Sequence, residues 1–71
     1  MIRVIYIDVD KKSFSISEPL FDDSVATERT VICQESGRNV NIISIPAESN
    51  LEVIKTEYLQ RGYAYDANEH W

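Results

Sequence analysis

The chain has few of the residues that stabilise small proteins by covalent or metal bonds. Among its 71 residues are one cysteine, Cys33, and one histidine, His70. A lone cysteine cannot form a disulfide within the chain, and a structural zinc site usually takes four cysteine or histidine ligands. A free thiol is typical of a reducing compartment, so we expect a cytoplasmic protein. We also expect that it binds no cofactor. Residues 1–71 should form a single domain stabilised by packing or by self-association, and we expect a homodimer.

Long apolar runs and positive charge are scarce as well. No apolar stretch approaches the length that spanning a bilayer requires, so no membrane segment is expected. Seven Lys and Arg against twelve Asp and Glu give a net charge of −5, and the basic residues are dispersed. Direct binding to nucleic acid or to an anionic membrane surface is therefore not expected. An acidic domain suits a basic protein surface instead.

The acidic residues permit one further hypothesis. They occur near a first predicted helix, at Asp22, Asp23, Glu28 and Glu35, and later in the chain, at Glu48, Glu52, Glu57, Asp66 and Glu69. If these side chains share one face, the chain could imitate the phosphate backbone. It would then be an inhibitor of a nucleic-acid-processing protein, of the kind that phages and other mobile elements carry. The alternative is a solvated helix surface.

Hydrophobic patterning predicts a β-β-α-β-α order. Residues 2–7 form an apolar strand covered on both faces, and residues 13–17 alternate as a half-exposed strand does. A helix follows up to residue 36, then a strand at 40–45. A second helix begins with a capping box of Ser49 and Glu52.

We therefore expect an α+β domain, with a three-stranded sheet and both helices packed on one face. Strand propensity at residues 30–33 leaves an alternative, which is a four-stranded antiparallel meander with one C-terminal helix. Residues 63–71 form either an irregular tail or, at 63–65, a short strand.

Asp8 and Asp10 follow the first predicted strand. Paired carboxylates at a strand end can hold Mg²⁺, and one of them can act as a nucleophile. The segment Tyr6-Ile7-Asp8-Val9-Asp10 resembles the first motif of haloacid-dehalogenase-like hydrolases, which implies a minimal Mg²⁺-dependent hydrolase. The motif continues with threonine or glycine, whereas this chain has two lysines. We favour the interpretation that both carboxylates belong to a hairpin turn, and we expect no enzymatic activity.

Aromatic residues are concentrated near the C-terminal end, at Tyr58, Tyr63, Tyr65 and Trp71. Tyrosine and tryptophan are enriched at binding hot spots, so we predict that these four bind a protein partner or a second copy. The alternative is that they pack the core. Cys33 lies on the apolar stripe of the first predicted helix, where a free cysteine behaves as a small apolar residue. Together these features predict a non-enzymatic interaction or accessory protein.

Overall fold

A computed structural model describes residues 1–67 and confirms the α+β class. Its elements are β1 (Ile2–Asp8), β2 (Ser13–Ile16), α1 (Ser24–Ser36), β3 (Val40–Pro46), α2 (Leu51–Gln60) and β4 (Ala64–Tyr65). The strands form one mixed sheet in the order β3-β1-β2-β4. β1 is antiparallel to β2 and to β3, whereas β4 runs parallel to β2. Neither helix in this part of the chain combines the length and the apolar content needed to cross a membrane.

The ambiguous segment after β2 is helical, as the favoured interpretation predicts. Its end is defined by Gly37, whose φ of 71° lies in the left-handed region that glycine adopts at little cost. There the N–H groups of Gly37 and Arg38 donate to the carbonyls of Gln34 and Cys33. These bonds satisfy carbonyls that the helix end would otherwise leave unpaired.

The sheet differs from the expected three strands, because the last described residues add a fourth. Ala64 and Tyr65 pair with Ser13 and Phe14, so the short-strand alternative for this segment is correct. The N–H of Ala64 donates to the Lys12 carbonyl at 2.8 Å, which is one of the hydrogen bonds of this parallel ladder.

The prediction that both helices pack on one face is wrong. Side chains alternate along β1, and α1 contacts the side that carries Val4 and Tyr6. α2 packs on the other side, against the cluster that includes Ile5 and Ile7. We call these the α1 face and the α2 face. Every residue from Val4 to Asp8 is buried, and a strand buried on both sides needs a cover on each.

The capping box predicted at Ser49 is also wrong by one residue. Asn50 is the N-cap of α2, and its side-chain oxygen accepts hydrogen bonds from the N–H groups of Glu52 and Val53. The N–H of Ser49 instead donates to the Pro46 carbonyl in the turn after β3. Asparagine and serine are equally suitable N-cap residues, so the sequence is compatible with a helix start at either Ser49 or Asn50. The turn after β3 places Asn50 at the N-cap.

The α2 face holds the main apolar core. Ile5, Ile7 and Phe14 form its buried centre. Partly buried side chains surround this centre, namely Ile16, Ile45, Ile54, Tyr58 and Tyr63.

Candidate functional site

Three of the four predicted aromatic binding residues, Tyr58, Tyr63 and Tyr65, lie around Phe14 on the α2 face. The Tyr58 and Tyr65 rings have their centroids 5.3 and 5.4 Å from that of Phe14, and Tyr63 meets Tyr58 edge-on. Tyr65 is the most accessible of the three, at 39% exposure, and the Lys55 ammonium lies 4.4 Å from its ring centroid. Trp71 lies outside the described residues. Tyr58 and Tyr63 therefore contribute to the core, while a binding role for the group stays a prediction.

Asp8 is buried at the end of β1 and forms an ion pair. Its Oδ2 accepts a hydrogen bond from the Arg38 guanidinium at 3.0 Å, and its Oδ1 accepts one from the Lys11 N–H at 3.0 Å. Burial by itself raises the pKa of Asp8. The hydrogen bonds from Lys11 and Arg38, together with the attraction of their charges, outweigh burial and hold that pKa below its ordinary value.

This arrangement favours the turn interpretation of the two carboxylates over the hydrolase hypothesis. The Oδ1 of Asp8 accepts a hydrogen bond within the β1–β2 turn, and its Oδ2 binds Arg38, which follows α1. Asp10 is exposed in the turn. Within residues 1–67, no three His, Cys, Asp or Glu side chains are grouped so that they could hold a metal ion.

A cavity of about 350 Å³ lies between α1 and the sheet. Its floor is the ring of Tyr6, whose hydroxyl oxygen lies 3.9 Å from the buried Cys33 Sγ. The guanidinium carbons of Arg29 and Arg38 lie 5.9 and 5.8 Å from the centroid of the Tyr6 ring. We call this space the arginine cavity. The left-handed turn at Gly37 directs Arg38 back over the sheet, and the sequence pattern gave no sign of this position.

β3 forms one edge of the sheet, and its free side can be deduced from the hydrogen bonds at its ends. Val9 donates to the Asn39 carbonyl, and Ala47 donates to the Met1 carbonyl. In an antiparallel pair, bonded positions recur at every second residue, so the odd-numbered positions of β3 bond to β1. The backbone groups of Val40, Ile42 and Ser44 therefore point away from the sheet. Within residues 1–67, no other strand pairs with this side.

The acidic residues of the two helices lie on different sides of the sheet. Glu28 and Glu35 belong to α1, whereas Glu52 and Glu57 belong to α2. Because the helices cover opposite faces, these carboxylates do not share one surface. Their distribution resembles that of a solvated protein surface and lends no support to mimicry of nucleic acid.

Comparison of the chain with protein-family models, with curated proteins and with solved structures finds no match.

Proposed function

We propose that the protein is an interaction module that pairs with a second copy of itself through the free edge of β3. The observation that carries this proposal is the seven-residue edge strand whose outward backbone groups at Val40, Ile42 and Ser44 have no strand beside them within residues 1–67. Such an edge is a template for adding another strand. Self-association also supplies stability that a chain of 71 residues has difficulty obtaining from one core.

The side chains of this edge lack the usual protection against pairing. Edge strands are commonly protected by charged side chains, by proline or by bulges. Residues 39–47 carry no charge, and they form the longest uncharged stretch of the chain. Pro46 lies only at the far end of β3. For a chain of net charge −5, an uncharged strand is also where two copies can approach with the least repulsion.

The positions of the outward backbone groups favour one register. If two β3 strands pair antiparallel about a two-fold axis at Ile42, then Ile42 faces its own copy and Val40 faces Ser44 of the second copy. Every outward N–H and C=O from Val40 to Ser44 is then bonded. A register centred on Ile43 would set Val40 opposite Pro46, which has no N–H to donate. The first register produces one continuous sheet of eight strands.

The apolar side chains agree with this register. Ile43 lies on the α2 face, directly beside Ile5 of β1, and is 40% exposed. In the paired form, an added strand lies alongside Ile43 and covers part of its surface. Ile42, on the α1 face, meets the same residue of the second copy, and apolar cross-strand pairs of this kind stabilise sheets.

The experiment is sedimentation equilibrium of the wild-type chain and of Ser44→Pro. Ser44 is exposed, and its N–H points outward, so proline removes one backbone hydrogen bond per copy, two in the proposed dimer, and none from the β1–β3 ladder. We expect the wild type to be dimeric. The dissociation constant of the Ser44→Pro dimer should be at least about tenfold higher than that of the wild type.

Ser44→Ala is the matched control, because it shortens the same side chain and keeps the N–H. It should sediment like the wild type. A monomeric wild type, or equal dissociation of the proline and alanine variants, would contradict pairing through β3.

A further inference from the structure

The arginine cavity lies between α1 and β1. Ala26 and Cys33 are the buried residues of this helix, and both are small. Among residues 1–67, the cavity is lined by Cys33 of α1 and, from the sheet, by Tyr6 of β1. Its volume of about 350 Å³ is within the range of small-molecule sites.

The chemistry of the lining is unlike that of a simple packing defect. Two of the seven basic residues in a chain of net charge −5 meet here over one tyrosine ring. Glu28 also lines the cavity, so the lining residues within 1–67 include two guanidiniums and one carboxylate. Arg38 is held in position by its bond to Asp8, which uses one of the five N–H donors of a guanidinium.

The remaining lining is apolar and accessible. Val25 and Ile32 of α1 flank the opening, and Ile32 is exposed by about half of its surface. An occupant would therefore place an apolar or aromatic body against these side chains and the Tyr6 ring. Its charged end would face the two arginines, whose planar donor groups match the oxygens of a carboxylate or a phosphate.

We propose that the arginine cavity binds a small organic anion, in which a carboxylate or a phosphate is attached to an apolar or aromatic body. The anion contacts the guanidiniums of Arg29 and Arg38, and the body lies on Tyr6 between Val25 and Ile32. This binding is separate from pairing through β3, because the cavity lies on the α1 face of the sheet and not at its edge.

The test is a titration followed by amide chemical shifts, with phenyl phosphate, benzoate and neutral benzyl alcohol as probes. We expect saturable shifts within residues 24–38 and at Tyr6 for at least one of the two anions. The comparison of phosphate with carboxylate identifies the preferred head group. Benzyl alcohol should bind at least about tenfold more weakly, because it cannot form charge-assisted hydrogen bonds.

Two variants and one control locate the site. Arg29→Gln should weaken binding of the anion by about tenfold, and Val25→Phe should block all three probes by filling the cavity. Arg61→Gln is the matched control, since Arg61, directly after α2, also lies over a tyrosine ring, that of Tyr58. It should leave binding unchanged. The amide spectra show directly whether each variant is folded.

Three results would overturn the proposal. One is the absence of saturable binding by either anion to the folded wild type. Another is binding of benzyl alcohol as tight as that of the anions. The third is equal weakening by Arg29→Gln and Arg61→Gln, which would indicate a general effect of charge.

Discussion

The two faces of the sheet are built from the same strands but packed in different ways. On the α2 face, Phe14 is in contact with tyrosines, and the buried residues are large and apolar. On the α1 face, the buried residues include Asp8, Ser15 and Ser17, and the helix supplies only small side chains to the core. Alternation of serine with Phe14 and Ile16 along β2 produces this contrast directly.

This difference indicates that the α2 face contributes most of the stability, whereas the α1 face is suited to binding. A dense aromatic cluster gains most from burial and loses most when a side chain is removed. A face with small and polar residues contributes less to stability, but it leaves room for a ligand and holds charged groups in fixed positions. We therefore expect substitutions on the α2 face to unfold the chain, and substitutions on the α1 face to change its electrostatics and its ligand binding.

The largest effect should come from Phe14→Ala. Phe14 is 1% exposed, and removal of a buried phenylalanine side chain costs about 3–5 kcal/mol. A domain of this size has a free energy of unfolding of about the same magnitude. The variant should therefore be largely unfolded at 25 °C in a urea titration followed by circular dichroism.

Phe21→Ala is the control for Phe14→Ala. Phe21 is 92% exposed, so its removal should change the free energy of unfolding by no more than about 0.5 kcal/mol. If the two alanine variants were equally stable, the aromatic cluster would not be the main core.

A smaller loss in the free energy of unfolding is expected for Arg38→Gln on the α1 face. The substitution removes the charge-assisted hydrogen bond from the guanidinium to the buried Asp8 carboxylate and leaves the one from the Lys11 N–H. Because the Arg38 side chain is about half exposed, solvent screens the pair, and we expect a loss of about 1–2 kcal/mol in urea unfolding. Arg61→Gln removes an exposed ion pair with Glu57 and should cost no more than about 0.5 kcal/mol.

The ion pair between Asp8 and Arg38 also predicts that the stability of the fold depends on pH. The pKa of Asp8 is lower in the folded chain than in the unfolded one, so its contribution to stability is complete above the unfolded value of about 3.9. That contribution is lost as the pH falls through the folded pKa. The urea midpoint of the wild type should therefore fall more steeply below about pH 4 than that of Asp8→Asn. Parallel curves would contradict a lowered pKa of Asp8.

The smallest predicted difference distinguishes the starts of the two helices. The Asn50 side chain caps α2, whereas the Asp23 side chain makes no such bond at the start of α1. Asn50→Ala should lower the free energy of unfolding by about 1 kcal/mol, and Asp23→Ala should change it by much less. Thermal or urea unfolding measures both. An equal loss in the two variants would show that side-chain capping does not distinguish the helices.

Much of the fold could be predicted from local patterns in the sequence. β1 and β3 follow from runs of β-branched residues, and the end of α1 follows from Gly37. The sequence also indicated that β1 is covered on both sides, but it did not reveal that the helices supply the two covers. The loops before and after a helix determine which face of the sheet it covers. The apolar stripe of the helix gives no information about those loops.

The candidate site was less predictable. The stripe of α1 was expected to be core, and its small Ala26 and Cys33 gave no sign that space would remain above Tyr6. The cavity forms where α1 lies over Tyr6 of β1, which is distant from the helix in sequence. Arg38 reaches it through the left-handed turn at Gly37 and the ion pair with Asp8, which spans thirty residues of sequence.

The two edges of the sheet also differ, and the proposed function depends on that difference. β4 has two residues, and an edge this short offers little to a second chain. β3 has seven residues and no charge. Only the β3 edge is long enough for the six backbone hydrogen bonds that the register centred on Ile42 forms between Val40 and Ser44 of the two copies.

Amide hydrogen exchange at several protein concentrations tests pairing through β3 most directly. At high concentration, the amides of Ile42 and Ser44 should exchange slowly, and they should become fast on dilution. The neighbouring amides of Asn41 and Ile43, which bond to β1, should stay slow throughout. Fast exchange of Ile42 and Ser44 at every concentration, or concentration-dependent protection at β4 instead, would contradict the account.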